Sequence, residues 1–495
     1  VSDVIELRQR ESNCYYTPFA RKLAKSMMNQ SAVESSAELG SQPGLHKMTG
    51  TERRAAGGLV LIYVSRMLGL FMVLPVLSVY GLALEGASPA MLGLALGIYG
   101  LMQAMLQIPF GMASDRFGRK PLIALGLVVF VFGSLLAANA DSISTLILGR
   151  ALQGAGAVAA AVLALAADLT REEQRTKIMA ILGASIGLAF VVSLVLGPLI
   201  ASRWGLSGVF LLTAVLGVVA IVSLYFVVPS PAKLNRHRDA QSHRDQLGDV
   251  LKNPALLRLD IGIFLLHAMM TACFVVLPLS LMEAGVAADQ QWHTYLFAVV
   301  IALAILVPMM GLADGKGKGR EVFLASIAAL VLVQLAFSFA HGPVQLMIAI
   351  GLFFGFFSVL EAMLPSLVSK MAPAGAKGTA MGVYSSGQFL GAFVGGTLGG
   401  VLYGQYGAAV VFLVAAVACV GWLFVAWAMK MPARTTVILI RSAALGAEAE
   451  KLKSQLAAQA GVLDSYFDTV AGVFHLKLDK DTADVESLRA LCHSD

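Results

Sequence analysis

Glu361, His267 and Arg66 each sit near the middle of a long apolar stretch. A charge at such a position costs about 2.5–3.5 kcal/mol on insertion scales, so it tends to face a cavity or a partner. The chemistry open to these three is proton exchange. Glu361 can gain and lose a proton if burial favours its neutral form, and His267 titrates nearest physiological pH without any perturbation. Arg66 holds a fixed positive charge that would attract an anionic substrate or Glu361 itself. His267, alone in its stretch, could equally bond a backbone carbonyl. Tyr99, Gln103, Gln107, Gln153, Tyr384 and Gln388 could line the same route or hydrogen-bond helix to helix. Arg150 reads as lying nearer the outer face.

A second group lies in the short connection Gly111-Met-Ala-Ser-Asp115-Arg116-Phe-Gly118-Arg119-Lys120. A glycine lets helices approach closely, a carboxylate can cap a helix N-terminus, and an arginine can pair with another carboxylate. A merely positive loop explains the charge but not the order of residues. Farther on, Gly387, Gly391, Gly395 and Gly399 recur every fourth residue, a small-residue stripe for close packing and a surface on which helices could slide. Gly315-Lys-Gly-Lys-Gly-Arg320 lacks the order of a phosphate-binding loop, which leaves an ion gradient as the energy source. The cysteines, Cys14, Cys273, Cys419 and Cys492, form no CxxC and no cluster at metal spacing. No hydrolase or metalloprotease constellation is present, so the reading is of a protein that is not an enzyme and needs no cofactor or metal.

The elements that position these residues are membrane helices. Of 495 residues 58% are hydrophobic and 13% charged, too apolar for a soluble surface. A bilayer core of roughly 30 Å needs about 20 apolar residues per helix. Such segments are expected at 57–84, 89–113, 121–140, 143–168, 175–201, 206–228, 257–282, 291–313, 321–340, 343–369, 376–403 and 407–430. Twelve spans in two halves follow: a six-helix bundle over 48–229, a polar linker over 230–256 and a second six-helix bundle over 257–431. The net charge of +6 does not point to nucleic acid, because Lys and Arg gather in alternate connections. That asymmetry predicts cytoplasmic termini and a cytoplasmic linker. The halves repeat one another weakly. Met179, Gly197, Trp204-Gly205 and Phe210 correspond to Met381, Gly399, Tyr406-Gly407 and Phe412, and Asp115, Gly118 and Arg119 to Asp314, Gly317 and Lys318. Parallel repeats of this kind place a transport site at their interface.

Residues 1–47 are polar, lack the apolar core of a signal peptide and read as a disordered extension, with Met48 a possible start of translation. Residues 435–495 read as strand, helix, strand, strand, helix, close to a ferredoxin-like sandwich hanging into the cytoplasm.

The 111–120 segment matches motif A of the major facilitator superfamily, and the chain resembles that superfamily's YajR-type inner-membrane transporters over most of its length. The resemblance is carried by 111–120, by Arg66-Met-Leu-Gly-Leu-Phe-Met-Val-Leu-Pro75, Arg150-Ala-Leu-Gln-Gly154, Asp168-Leu-Thr-Arg171, Glu361-Ala-Met-Leu-Pro365 and Gly378-Thr-Ala-Met-Gly-Val-Tyr384, and by the C-terminal domain. It implies that Asp115, Arg119 and Asp168 form a charge relay, with Gly111, Arg116, Gly118 and Lys120 completing the motif, that closes the outward-facing state from the cytoplasmic side. The fifth span departs from the family's antiporter signature. Gly197-Pro198 is present, but Ser193 and Ala201 stand where glycines are expected. The function so implied is proton-coupled efflux of a small solute by alternating access, in a monomeric transport unit of the bacterial inner membrane surrounded by lipid. The other reading is a membrane sensor on the same scaffold.

Overall fold

A computed structural model describes residues 48–230, 243–315, 317–372, 376–429, 435–441, 447–468, 473–479, 482–484, 486–488 and 491. The expected 1–47 extension, residues 231–242 of the linker, and Cys14, Cys492 and Lys316 lie outside the described residues. Among the described residues, ten helices are long and apolar enough to cross a membrane. One of them, Lys177–Val227, is broken at Gly205 (φ 62°, ψ −166°) and therefore holds two spans. Lys377–Tyr406 is a helix of 30 residues that falls short of that apolarity because of its glycines and hydroxyl side chains. Twelve spans result. In order they are Gly50–Ala83, Pro89–Phe117, Arg119–Ala138, Ile143–Asp168, two within Lys177–Val227, Pro254–Glu283, Gln291–Asp314, Gly319–Phe339, Pro343–Met371, Lys377–Tyr406 and Ala408–Trp427, here called spans 1 to 12.

Local chemistry moves several boundaries away from those expected. Span 1 begins at Gly50 rather than 57, because Thr49 and Glu52 form a capping box: the Glu52 N–H donates to Thr49 Oγ1 at 3.2 Å and the Thr49 N–H to Glu52 Oε2 at 2.8 Å. It breaks after Phe71 and resumes at Leu74. Pro75 has no N–H to continue the ladder, and its ring would clash with the carbonyl four residues back. Span 4 breaks between Ala155 and Ala159, where Gly156 packs against the Phe130 Cβ. The expected polar linker over 230–256 needs correction at its end. His243–Lys252 is a helix that packs on spans 7 and 11, with Val250 buried, and span 7 starts at Pro254 under an Asn253 cap.

The internal repeat appears again in how the sixth span of each half ends. Arg54 and Lys120, at the starts of spans 1 and 3, donate to the Phe226 and Val228 carbonyls at 3.5 and 2.5 Å. Arg258 and Arg320, at the starts of spans 7 and 9, donate to the Ala428 and Trp427 carbonyls at 2.9 and 3.0 Å. Two basic residues thus satisfy carbonyls that a helix C-terminus leaves unpaired and offset its negative dipole end. They also bring the basic connections of each half together at one end of the bundle, called here the basic end.

The halves meet at the other end. Gly93, Gly97 and Gly100 of span 2 lie against Gly396, Phe393 and Phe389 of span 11, and Ser78 Oγ donates to the Phe274 carbonyl at 3.0 Å. The helices approach so closely because span 2 has no Cβ at these points, and at Gly93 and Gly396 neither side has one. Farther along the same two faces the contact is lost. A Cβ at Gly111 would meet only Ala160 of span 4, and Cβ atoms at Gly378 and Gly382 would meet nothing within 4 Å. The space between the halves is therefore closed at one end and open at the basic end. The expected sliding stripe is corrected accordingly. Gly387, Gly391, Gly395 and Gly399 pack on Asp260, Phe264, Ala268 and Ala272 of span 7, inside one half. The face that crosses between halves carries Gly396, Gly400 and Gly404.

Beyond span 12, Thr435–Arg441 (β1), the helix Ala447–Ala457, Val462–Asp468 (β2) and Val473–Asp479 (β3) follow in order. The three strands form an antiparallel sheet in the order β1-β3-β2. The closing helix expected near the terminus is described only at 486–488 and 491. Ile440, Ala449, Leu456, Phe474, Leu476, Leu478 and Leu488 form a core distinct from those of the bundle. Truncation after Arg434 is accordingly expected to leave the bundle inserted and monodisperse in detergent by size-exclusion chromatography. Loss of insertion would show that the bundle depends on this segment.

Candidate functional site

Gly118 joins spans 2 and 3 at φ +96°, a conformation that glycine alone adopts cheaply. That turn sets Arg119 in the first helical turn of span 3, facing back across span 2. Its Nε donates to Asp168 Oδ2 of span 4 at 3.1 Å, its Nη1 donates to Ser114 Oγ at 2.6 Å, and it pairs with Asp115 one turn earlier. Ser114 Oγ in turn donates to the Gly111 carbonyl at 2.6 Å. One guanidinium thus ties three spans together, and the Arg119 and Asp168 side chains are buried while Asp115 is 53% exposed. Lys120 caps span 6 as described, and Arg116 lies over the Phe117 ring at 5.5 Å. The close approach expected at Gly111 is absent in this conformation, and Asp115 is engaged with Arg119.

Two participants at the basic end escaped the sequence reading. Ser114 carries no signal in the sequence beyond its place in the 111–120 segment. Glu52, only 3% exposed, accepts from Arg171 through Nε at 2.9 Å, Nη2 at 3.1 Å and the backbone N–H at 3.2 Å, which fixes the start of span 1 to the connection after span 4. A forked arginine on a carboxylate is among the stronger polar contacts. The Thr-x-x-Glu spacing at 49–52 was the available signal.

The expected cavity residues divide into two clusters, one in each half. In the first half, Arg66 Nη2 donates to Tyr99 Oη at 3.2 Å, Gln103 Nε2 donates to the same oxygen at 3.3 Å, and the Arg66 guanidinium lies 5.7 Å from the Phe130 ring centre. Arg150 is 1% exposed. It donates to the Ala95 carbonyl at 3.2 Å and to Gln153 Oε1 at 2.8 Å, and it stacks on the Tyr99 ring. Gln153 continues to Ser134 Oγ at 2.8 Å. Gln107 is buried in the same half. The anticipated attraction of Arg66 to Glu361 is not realised, because Arg66 turns into its own half.

In the second half, the Gln388 amide bridges two titratable groups. Its Nε2 lies 2.8 Å from His267 Nε2 and donates to Glu361 Oε1 at 3.2 Å, while His267 Nε2 and Glu361 Oε2 are 3.8 Å apart. His267 is 8% exposed, and the Glu361 side chain is 37% exposed. Tyr384, one turn from Gln388, is buried, and its hydroxyl has no hydrogen-bond partner among the described residues. Three spans (7, 10 and 11) supply this group, so no short stretch of sequence contains it.

In span 5, Gly197 packs on Met72 at the break in span 1, with the Met72 Cα 3.3 Å from where its Cβ would be. Ser193 Oγ, standing where a glycine was expected, donates to the Leu68 carbonyl at 3.3 Å. Ala201 is buried. Near the closed end an aromatic chain that the sequence reading missed crosses between halves: Phe71 meets Phe190 edge to face at 5.0 Å, and Phe190 meets Phe354 at 5.5 Å.

Two six-helix halves that are joined at one end, open at the other and lined by buried polar clusters define a multi-pass membrane transporter. The chain belongs to the Major Facilitator Superfamily, whose model matches residues 59–288 and 259–462. It is 45% identical over 435 residues to the inner membrane transport protein YajR of Escherichia coli, covering 88% of this chain and 96% of that protein. It is also 27% identical over 319 residues to the multidrug resistance protein MdtH of Aeromonas salmonicida, covering 64% of this chain and 79% of that one. Among solved structures, the nucleoside transporter NupG matches with a TM-score of 0.61 at 16% identity, covering 76% of this chain and 99% of that one. This last likeness concerns the fold.

Proposed function

We propose that this protein is a proton-coupled exporter of small solutes that works by alternating access in a bacterial inner membrane. The basic end and both termini would face the cytoplasm. The observation that carries this reading is the Gln388 bridge between His267 and Glu361, which places an acid and an imidazole within 3.8 Å of one another. Protonation of Glu361 changes the charge that the second half presents to the space between the halves. Exposure of that space first to one side and then to the other would load and release one proton per cycle. The relative named an inner membrane transport protein supports the location, and those named multidrug resistance proteins support export.

Glu361→Gln keeps the shape of the side chain and removes its titration. In proteoliposomes screened with a panel of cationic, anionic and neutral drugs, the variant is expected to lose proton-driven accumulation and to retain exchange without a gradient. Full gradient-driven transport by a well-expressed Glu361→Gln protein would overturn the mechanism. Lack of substrate flux by the unaltered protein, with ligand binding preserved, would favour a sensor.

A further inference from the structure

Span 7 runs unbroken from Pro254 to Glu283 although Pro278 stands inside it. A proline there has no N–H to give, so the carbonyl four residues back, that of Phe274, lacks its partner within the helix. Ser78 of span 1, in the other half, donates to that same carbonyl at 3.0 Å, and both residues are buried. A buried carbonyl left unpaired is costly, and here the bond missing from one half is supplied by the other. Gln291, also buried, donates to the Pro278 carbonyl at 2.7 Å and holds the kink from within the second half. The internal repeat shows that the crossing does not follow from the proline alone. Phe71, Val73, Leu74 and Pro75 correspond to Phe274, Val276, Leu277 and Pro278, and Ser78 corresponds to Leu281. In the first half the helix breaks before its proline, and Leu281 has no hydroxyl with which to return the bond. The crossing is therefore one-sided. Around it the halves meet through glycine faces and through the rings of Phe190 and Phe354.

Resting on the alternating-access part of the reading above, we propose that Ser78 is the latch of the closed end and that Pro278 creates its acceptor. While the halves touch, the Ser78 hydroxyl supplies what Pro278 withholds. When that end opens, water reaches the Phe274 carbonyl and takes the place of the hydroxyl. Loss of the hydroxyl therefore leaves a buried acceptor unpaired in the closed form only, and the balance moves toward the form in which the end is open. A proline in an ordinary helix would weaken that helix, whereas here the carbonyl it releases becomes a point of attachment between the two moving bodies.

The test reads how often that end opens. Leu74 is buried one turn before Ser78 on the same face of span 1, and as Leu74→Cys it reports opening through its rate of reaction with a membrane-impermeant thiol reagent. The reagent is applied to sealed vesicles of the full-length protein from the side of the closed end, and the rate is taken above that of protein without the added cysteine. Ser78→Ala is expected to raise this rate on the order of tenfold, as for one buried hydrogen bond. Ser78→Thr and Ser78→Val share one shape, so an effect of bulk is common to both, and the valine variant should react on the order of tenfold faster than the threonine variant. Pro278→Ala returns an N–H to the Phe274 carbonyl, and in that background Ser78→Ala should change the rate by less than about twofold. Equal rates for Ser78→Thr and Ser78→Val overturn the latch. The same acceleration by Ser78→Ala with and without Pro278 also overturns it, because the hydroxyl would then act on something other than the released carbonyl. Absence of reaction in every variant would instead overturn opening at this end, the reading on which the latch rests.

Discussion

Gly395→Leu is expected to abolish folded protein, whereas the same change at the adjacent Gly396 should yield folded protein with a shifted conformation. The two glycines face opposite ways on span 11. A Cβ at Gly395 would fall onto the Ala268 backbone, 2.5 Å from its Cα, inside the second half. That contact persists in any conformation in which the half moves as a rigid body, so overpacking there opposes folding itself. A Cβ at Gly396 would come within 2.7 Å of the Gly93 carbonyl and 3.0 Å of the Gly97 N–H, both in the other half. This clash exists only while the end opposite the basic connections is closed. Overpacking costs about 1–3 kcal/mol, and a bias of that size against one of two states changes their ratio about 5- to 150-fold. Spin labels at Met112 and Gly378 for the open end, and at Leu82 and Met282 for the closed end, would report the outcome as distances. The expectation for Gly396→Leu is shortening of the first distance and lengthening of the second. Comparable yield and unchanged distances for both variants would show that the two faces are not functionally distinct.

The second large effect is expected at Arg119. Its replacement by alanine leaves the buried Asp168 carboxylate without the guanidinium 3.1 Å away and leaves Ser114 without its partner. Removing one side of a buried pair typically costs about 3–5 kcal/mol, a large part of the stability of a domain. Arg119→Ala should therefore lower the midpoint of thermal unfolding in detergent markedly. Arg119→Lys should recover only part of it, because an ammonium cannot fork between Asp168 and Ser114. Asp115→Asn should behave differently. Asp115 is 53% exposed, and exposed pairs contribute about 0–1 kcal/mol, so stability of this conformation should hardly change. If the relay stabilises the opposite conformation, the same variant should enrich the basic-open form, read as a longer Met112 to Gly378 distance. An unfolding midpoint for Arg119→Ala equal to that of the unaltered protein would remove the relay from any structural role.

The membrane class, the two six-helix halves and the segment at 111–120 are legible in the amino-acid order alone. Each rests on local signals: apolar length, the alternation of basic connections, and a motif whose residues are neighbours in the chain. That order also marked Glu361, His267 and Arg66, since an ionisable residue in an apolar run is conspicuous wherever the chain then folds.

Which polar groups meet follows from the packing of the spans. Nothing in the local sequence separates Arg66 with Tyr99 from His267 with Glu361, because partner choice depends on how helices rotate and cross, and that is set by packing over their whole length. The glycine stripe makes the same point: spacing showed a surface for close approach, while the identity of the approaching helix, span 7 for one face and span 2 for the next, depends on the path of the chain through both halves. The end at which the bundle is open is likewise a property of contacts between halves, made by Gly93, Gly97, Ser78 and Phe190 with partners far away in the chain.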